Sequence, residues 1–354
     1  MVLHGGEVFR AGTVRSDGPE LAALVAGDSL AARAYARMLP RLRDGANVIA
    51  ASMPRVMKNC SGYRVEGVLG GDDVHLHQIF VGSEGTLGLI TEATLNLVPL
   101  PGRRAIAMAY FPTVFAAGEA VFSLLDLSPT SLEIMDANFL TFVRKHNARL
   151  DAMLPDGADT ALLIEFEAGD DTELDEWLTS AERLLGGGAA LQVKRALDPT
   201  EQKHLWAVRQ AAVPLLQKLP GPKRIAEFIE DCTVHPEVLP TYMHTLAGIL
   251  KKHDVQGIMY GHAGDGNIHT RPILDLKSAA DLELMQTILD ETVELVLGLK
   301  GTPSGEHGDG IVRSPYVRQV YGDAGRRRTF SPMLGCVRHK GEGGRALASR
   351  PPRA

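Results

Sequence analysis

Only three cysteines, Cys60, Cys232 and Cys336, occur in 354 residues, and no two of them form a C-x-x-C pair. That scarcity excludes a disulfide framework and a cysteine-ligated iron–sulfur centre built within this chain, and reduced thiols fit a cytosolic protein. Apolar runs long enough to cross a bilayer are missing, as is a basic N-terminal segment leading into an apolar one, so neither a membrane span nor a secretory signal is expected. Positive charge is also in short supply: 37 Lys and Arg against 43 Asp and Glu leave a net −6, with no basic stripe ahead of the arginine-rich C-terminal tail. Nucleic acid and anionic lipid are therefore not expected as partners.

What the chain does have is length enough for two domains and two clusters of chemistry-bearing residues in glycine-rich settings. The first, Tyr260-Gly-His-Ala-Gly-Asp-Gly-Asn-Ile-His269, lies between two segments that read as strands, 255–260 and 268–273. Its glycines permit a tight turn that brings His262 and His269 to one end of the strand pair. Two converging imidazoles suit zinc, manganese or iron(II), which need a third protein ligand and leave positions open for substrate. The second cluster, Ser304-Gly-Glu-His-Gly-Asp-Gly310, offers Glu306 as that carboxylate and His307 as a titratable base beside the metal. Either cluster alone is also compatible with an ordinary polar surface turn; the two together favour the metal.

A third feature is Gly82-Ser-Glu-Gly-Thr-Leu-Gly88. Such a loop lets backbone N–H groups approach a flat ring or a pyrophosphate, with Ser83, Glu84 and Thr86 as hydrogen-bonding groups, although a lone glycine-rich loop is more often a structural turn. Arg209, with Lys223 or Arg224, could hold an anionic substrate; a solvated cationic helix face is the equal alternative.

Along the chain, the spacing predicts a hairpin over 2–12, helices over 20–42 broken near Gly27, and a β-rich alternating run over 89–98. Pro99-Leu-Pro101 marks a boundary, after which strands (105–111, 131–134, 161–167, 228–234) alternate with helices (114–126, 137–146, a helix ending at 185, 199–219, 236–252, 279–299). This is the rhythm of an α+β domain with helices on one face of a mainly antiparallel sheet. From residue 323 the composition loses its apolar period, and a disordered tail or a translated frameshift is expected for 323–354.

The three motifs, in this order and spacing, resemble the FAD-linked oxidases of the vanillyl-alcohol-oxidase superfamily. They are most similar to the branch with D-lactate dehydrogenases, glycolate oxidase flavoprotein subunits and D-2-hydroxyglutarate dehydrogenases, over about residues 1–322. The resemblance implies the second part of a PCMH-type FAD-binding domain at 1–101 and a ferredoxin-like α+β cap domain at 102–322. It implies FAD against Gly82, Ser83, Glu84, Gly85, Thr86, Gly88 and Ile90, with Asn267 orienting substrate or the flavin edge. It further implies a divalent metal, zinc, manganese or iron, on His262, His269 and Glu306, with His307 as catalytic base and Arg209 and Lys223 on the substrate carboxylate. The activity implied is oxidation of a D-2-hydroxy acid to the 2-oxo acid, with an electron-acceptor protein or iron–sulfur subunit as partner, a homo-oligomer as assembly, and a cytoplasmic or inner-membrane-peripheral location. The family begins with a further half of the flavin domain, which puts FAD affinity at issue; the alternatives are an inactive fragment or accessory subunit working with a complementary chain, and a metal-only hydrolase.

Overall fold

The computed structural model describes residues 1–186, 190–211, 214, 217 and 221–322, so the expectations for 323–354 and for the end of the 199–219 helix lie outside the described residues. The chain divides into two compact units: Met1–Pro54 with Asn59–Leu97 and Ser304–Ala354, and Arg55–Lys58 with Val98–Pro303.

In the first unit, α1 (Pro19–Ala26) starts with proline in its first turn and gives way at Gly27 to α2 (Leu30–Ser52). Ser29 caps α2 by accepting from the Ala32 N–H, and the Glu7 carboxylate accepts from Leu30 and Ala31, satisfying N–H groups that the first turn leaves without helical partners. The apolar face of the helices, with Leu21, Tyr35, Leu39 and Leu42, packs with Val68, Val74 and Ile79. Those last residues belong to or flank a small antiparallel sheet of β1 (Thr13–Arg15), β2 (Leu69–Gly70) and β3 (Asp73–His75). The 2–12 hairpin reduces to a single Val2↔Val8 bridge around a turn with Gly5 and Gly6 at positive φ.

The β-rich run at 89–98 is not a strand. Leu89 pairs with Val2 through two hydrogen bonds. Beyond it no strand among the described residues pairs with the segment, and Leu95 and Leu97 are 77% and 92% exposed. Alternation is a demand for a neighbouring strand and a covering layer, and without them it does not make a sheet.

The second unit is built on an eight-stranded, wholly antiparallel sheet. Its first four strands are β4 (Arg103–Phe111), β5 (Ser131–Met135), β6 (Thr160–Ala168) and β7 (Gln192–Ala196), in spatial order β7-β4-β6-β5. With α3 (Val114–Leu125) after β4 and α5 (Asp171–Leu185) after β6, this is the ferredoxin-like βαββαβ arrangement. An additional helix, α4 (Ala137–His146), sits between β5 and β6, and α6 (Pro199–Gln210) follows β7. The mixed α+β class read from the alternation is therefore the class observed.

Helices cover both faces rather than one. From Ala105 to Phe111 every residue of β4 is fully buried. Ile106, Met108 and Tyr110 pack with Phe139, Leu140 and Val143 of α4 and Leu205 and Val208 of α6. α3 and α5 pack on β4 and β6 by the opposite face, where the small side chains of Ala105, Ala107 and Ala109 admit them. A strand buried on both faces loses its polar alternation, which is why its sequence cannot reveal the second layer.

The sheet continues through β10 (Gly257–His262) and β11 (Asn267–Leu274), with short β8 (Arg224–Ile225) and β9 (Cys232–Thr233) on β11. Of the strand expected at 228–234, only β9 pairs. Helices α7 (Leu239–Lys252) and α8 (Ala279–Gly298) complete the unit. α7 meets α3 closely at Gly118, where a Cβ would lie 2.1 Å from Pro240 Cγ.

One buried acid ties α4 to the sheet. Asp136 caps α4, its Oδ1 accepting from Phe139 N–H at 2.8 Å and from Met259 N–H at 3.0 Å. Burial pushes its pKa up to about 7 despite those donors. The unfolded chain releases this proton near the ordinary carboxylate value of about 3.9, whereas the folded chain holds it to about 7. Stability therefore falls as pH rises through that window, by at most about 1.4 kcal/mol per unit. Asp136→Asn keeps an acceptor oxygen without the charge, so urea unfolding from pH 4 to 7 is expected to show a shallower slope; an unchanged slope would refute this role.

Candidate functional site

β10 and β11 form a hairpin around Ala263–Asp265, with Gly266 at φ 67°, where a Cβ would fall 1.9 Å from the Val234 carbonyl oxygen. The register places Tyr260 opposite His269 and His262 opposite Asn267. His262 and His269 face each other, Nε2 to Nε2, at 3.4 Å.

Their other nitrogens explain why. His262 Nδ1 lies 2.6 Å from Glu133 Oε1, and His269 Nδ1 lies 2.9 Å from the Glu230 carbonyl oxygen. Both acceptors require Nδ1 to carry the proton, so each neutral ring turns an Nε2 lone pair toward the other. Two lone pairs across 3.4 Å repel, and a proton or a metal cation between them reverses the sign. Anchoring of Nδ1 on a carboxylate or a carbonyl is also how metal-binding histidines are oriented. The pair thus fits a divalent cation. Asp231, fully buried, has a carboxylate oxygen within 4.8 Å of the His269 ligand nitrogen. The sequence reading did not include it.

Glu133 is the second missed residue. Its side chain is 4% exposed, and its Oε2 accepts from Arg209 Nε at 2.8 Å while another guanidinium nitrogen lies at 2.7 Å. Burial raises the pKa of Glu133, but the hydrogen bond from His262 and the charge of Arg209 outweigh it and hold the group below its usual value. The signal was present in Ser131-Leu-Glu-Ile-Met135: one acid inside an apolar strand is expensive to bury unless paired.

Arg209 also lies over the Tyr260 ring, 4.4 Å from its centroid. Lys223 is exposed and precedes β8, which pairs with the far end of β11 at Ile273 and Leu274, away from His269. Asn267 is fully buried; its Nδ2 donates to Asp231 Oδ1 at 3.1 Å and to Thr233 Oγ1 at 2.8 Å, and its Oδ1 has no hydrogen-bond partner.

The glycine-rich loop and the second His-containing cluster both belong to the first unit. Gly82 and Gly85 have φ 73° and nothing within 4 Å of a Cβ position. Ser83 is buried, Ile90 is exposed, and Thr86 Oγ1 is 2.9 Å from Tyr63 OH. Gly88 is needed for a different reason, since a Cβ there would meet the Val2 carbonyl at 2.8 Å.

Glu84, at φ 50°, turns its carboxylate onto the other motif: Oε1 accepts from Asp309 N–H at 2.9 Å and Oε2 from Gly310 N–H at 3.0 Å. Asp309 in turn accepts from Ser61 Oγ at 2.9 Å and from Gly62 N–H at 2.7 Å. The segment carrying Glu306 and His307 is thereby fixed, and within it the Glu306 carboxylate lies 3.5 Å from His307 Nε2, with His307 exposed.

Gly308 makes the interlock possible. At φ 82° it has a backbone that favours glycine, and a Cβ would sit 2.7 Å from Glu84 Oε1. Gly308→Ala is expected to cost about 1–3 kcal/mol from the left-handed backbone and the contact together. In a Glu84→Ala background the contact is gone, so the same substitution should cost about 1 kcal/mol less. Strict additivity in urea unfolding would show that the two motifs are not interlocked.

Comparison with known proteins follows the same lines. The family model described as "FAD linked oxidases, C-terminal domain" matches residues 100–327. Glycolate oxidase subunit GlcD of Bacillus subtilis is 30% identical over 74% of this chain and 55% of its own length. D-2-hydroxyglutarate dehydrogenase of Escherichia coli is 31% identical over 82% of this chain and 30% of its own length. A solved alkyldihydroxyacetonephosphate synthase is 19% identical with a TM-score of 0.45, over 73% of this chain and 48% of that one. The chain spans about half the length of the first of these relatives and under a third of the second.

Proposed function

Since this chain belongs to the FAD-linked oxidase family, we propose that it takes part in the oxidation of a D-2-hydroxy acid to the 2-oxo acid at a metal-assisted site centred on His262 and His269. The observation that carries this reading is the pair of Nε2 atoms facing each other at 3.4 Å with both Nδ1 atoms anchored. The names of the relatives, a glycolate oxidase subunit and a D-2-hydroxyglutarate dehydrogenase, support the substrate class.

When bound, FAD supplies the hydride acceptor and a divalent metal, zinc, manganese or iron, supplies Lewis acidity toward the substrate hydroxyl. His262 and His269 hold that ion, and Glu133 and the Glu230 carbonyl keep their rings in the one tautomer that can bind it. Glu306 is the third ligand and His307 the base that accepts the hydroxyl proton, an assignment supported by the motif Gly305-Glu-His-Gly308. Arg209 braces Glu133, so its charge also holds the orientation of His262. Asn267 fixes Asp231 and Thr233 through its amide N–H groups and keeps its oxygen available for a buried donor. Gly82 and Gly85 offer open backbone to the isoalloxazine or pyrophosphate, and Glu84 of the same loop positions the 308–310 segment.

GlcD is named as a subunit, and a protein acceptor or iron–sulfur partner for this chain fits that description. No helix among the described residues is long and apolar enough to cross a membrane.

The test is the visible absorbance of the purified chain after addition of FAD. Retained flavin that bleaches with D-lactate, glycolate or D-2-hydroxyglutarate supports the reading; a chain that never retains flavin refutes oxidation by this chain alone and favours the alternative of an inactive fragment or accessory subunit.

Two substitutions separate the roles. His262→Ala should lower metal content by at least about tenfold, the scale on which disturbed ligand sets lose affinity, while His307→Ala should leave metal content within about twofold and lower turnover by about 10²-fold or more. Full metal occupancy in the first variant, or full turnover in the second, would remove the respective assignment.

A further inference from the structure

Two guanidiniums reach Tyr260, and they are held in opposite ways. Arg209 covers the ring face and is paired with Glu133, whose side chain is 4% exposed. Arg271 donates from Nε to Tyr260 OH at 3.2 Å and pairs with Glu227, whose side chain is 62% exposed. Both arginine side chains are 13% exposed. Separating Glu133 from Arg209 would strand a buried carboxylate beside His262. Glu227 is already largely hydrated and leaves Arg271 at little cost. The first pair is committed, and the second is exchangeable.

The register shows where that exchangeable cation points. Tyr260 is opposite His269 and Ile258 is opposite Arg271, so Arg271 is the diagonal neighbour of Tyr260 and lies two residues beyond His269 on the same sheet face. Two residues of strand are roughly 6–7 Å. A 2-hydroxy acid held near the histidines by its hydroxyl and adjacent carboxylate would need a further anionic group to span that distance.

We propose that Arg271 receives the second carboxylate of a dicarboxylic 2-hydroxy acid, with Glu227 occupying the same guanidinium until substrate replaces it; this rests on the reading of the His262–His269 site as one for 2-hydroxy acids. Arg271 is then the residue that selects diacids over monoacids. Its planar fork suits a carboxylate, and Tyr260 OH fixes its orientation. Exchange of Glu227 for the substrate carboxylate keeps the buried guanidinium neutralised throughout.

The experiment is calorimetric titration of the full chain, supplied with FAD and Mn²⁺, with D-2-hydroxyglutarate and with D-lactate. The unsubstituted chain should bind the diacid about 10–100-fold more tightly, the worth of one charge-assisted pair. Arg271→Leu should bring the diacid down to the level of lactate and leave lactate affinity within about twofold. Glu227→Gln, a change at an exposed position that does not threaten folding, should tighten the diacid by a few-fold and leave lactate unchanged, because it removes the internal competitor. Equal weakening of both acids in Arg271→Leu, or no gain for the diacid in Glu227→Gln, would overturn the inference while leaving the functional reading standing. If the unsubstituted chain binds neither acid, the functional reading fails and takes the inference with it.

Discussion

A single buried carboxylate organises the centre of the larger unit. Glu133 joins His262 on one oxygen and Arg209 on the other, and it is affordable inside the sheet only because both partners are present. Through His262 it sets the tautomer of one imidazole; through Arg209 it keeps a cation over the face of Tyr260, whose ring also contacts His269 at 5.6 Å. Strand β5 supplies the acid, α6 the arginine, and the β10–β11 hairpin the histidines and the tyrosine. The ferredoxin-like order of strands is what makes these four elements neighbours, since β10 pairs with β5 over Tyr260↔Met135 and His262↔Glu133.

The smaller unit uses the same economy with backbone groups. Glu84 and Asp309 each satisfy two donors on another segment, so that loops distant in sequence are held by carboxylates rather than by a sheet. A glycine-rich loop is commonly read as a place for ligand phosphate or a flat ring. Here four of its positions do three kinds of work: Gly82 and Gly85 leave backbone open, Gly88 admits the chain near Val2, and Glu84 reaches across to the second motif.

Much of this was legible in sequence where the signal is local. α1, α3, α4, α7 and α8 follow from helical spacing and the turn at Gly27, α2 only as far as residue 42 although it runs on to Ser52, and the β10–β11 hairpin follows from the glycines between two histidines. The histidine pair was legible because two imidazoles in one short turn have few bland explanations. Glu133 could be read only as an acid in an apolar strand that must be paired, and its partners, like those of Asp231 and Tyr260, lie dozens of residues away. Arg209 shows the limit from the other side: its charge was visible, but its pairing with Glu133 depends on β5 and α6 meeting. The alternating run beyond Leu89 illustrates the reverse failure, in which a clear strand pattern has no strand beside it among the described residues.

The geometry of the β10–β11 turn has a consequence for the lengths this segment tolerates. His262 and His269 share a face because a fixed count of residues separates them, and strand side chains alternate with a period of two. One residue added or removed in β11 ahead of His269 would send its ring to the opposite side of the sheet and bring a neighbour in its place. The turn itself cannot absorb such a change quietly, because Gly266 is pressed against the Val234 carbonyl with no room for even one carbon. The seven-residue interval therefore behaves as a ruler: point substitutions within it can be graded in effect, whereas insertions and deletions act as all-or-none events on the donor pair.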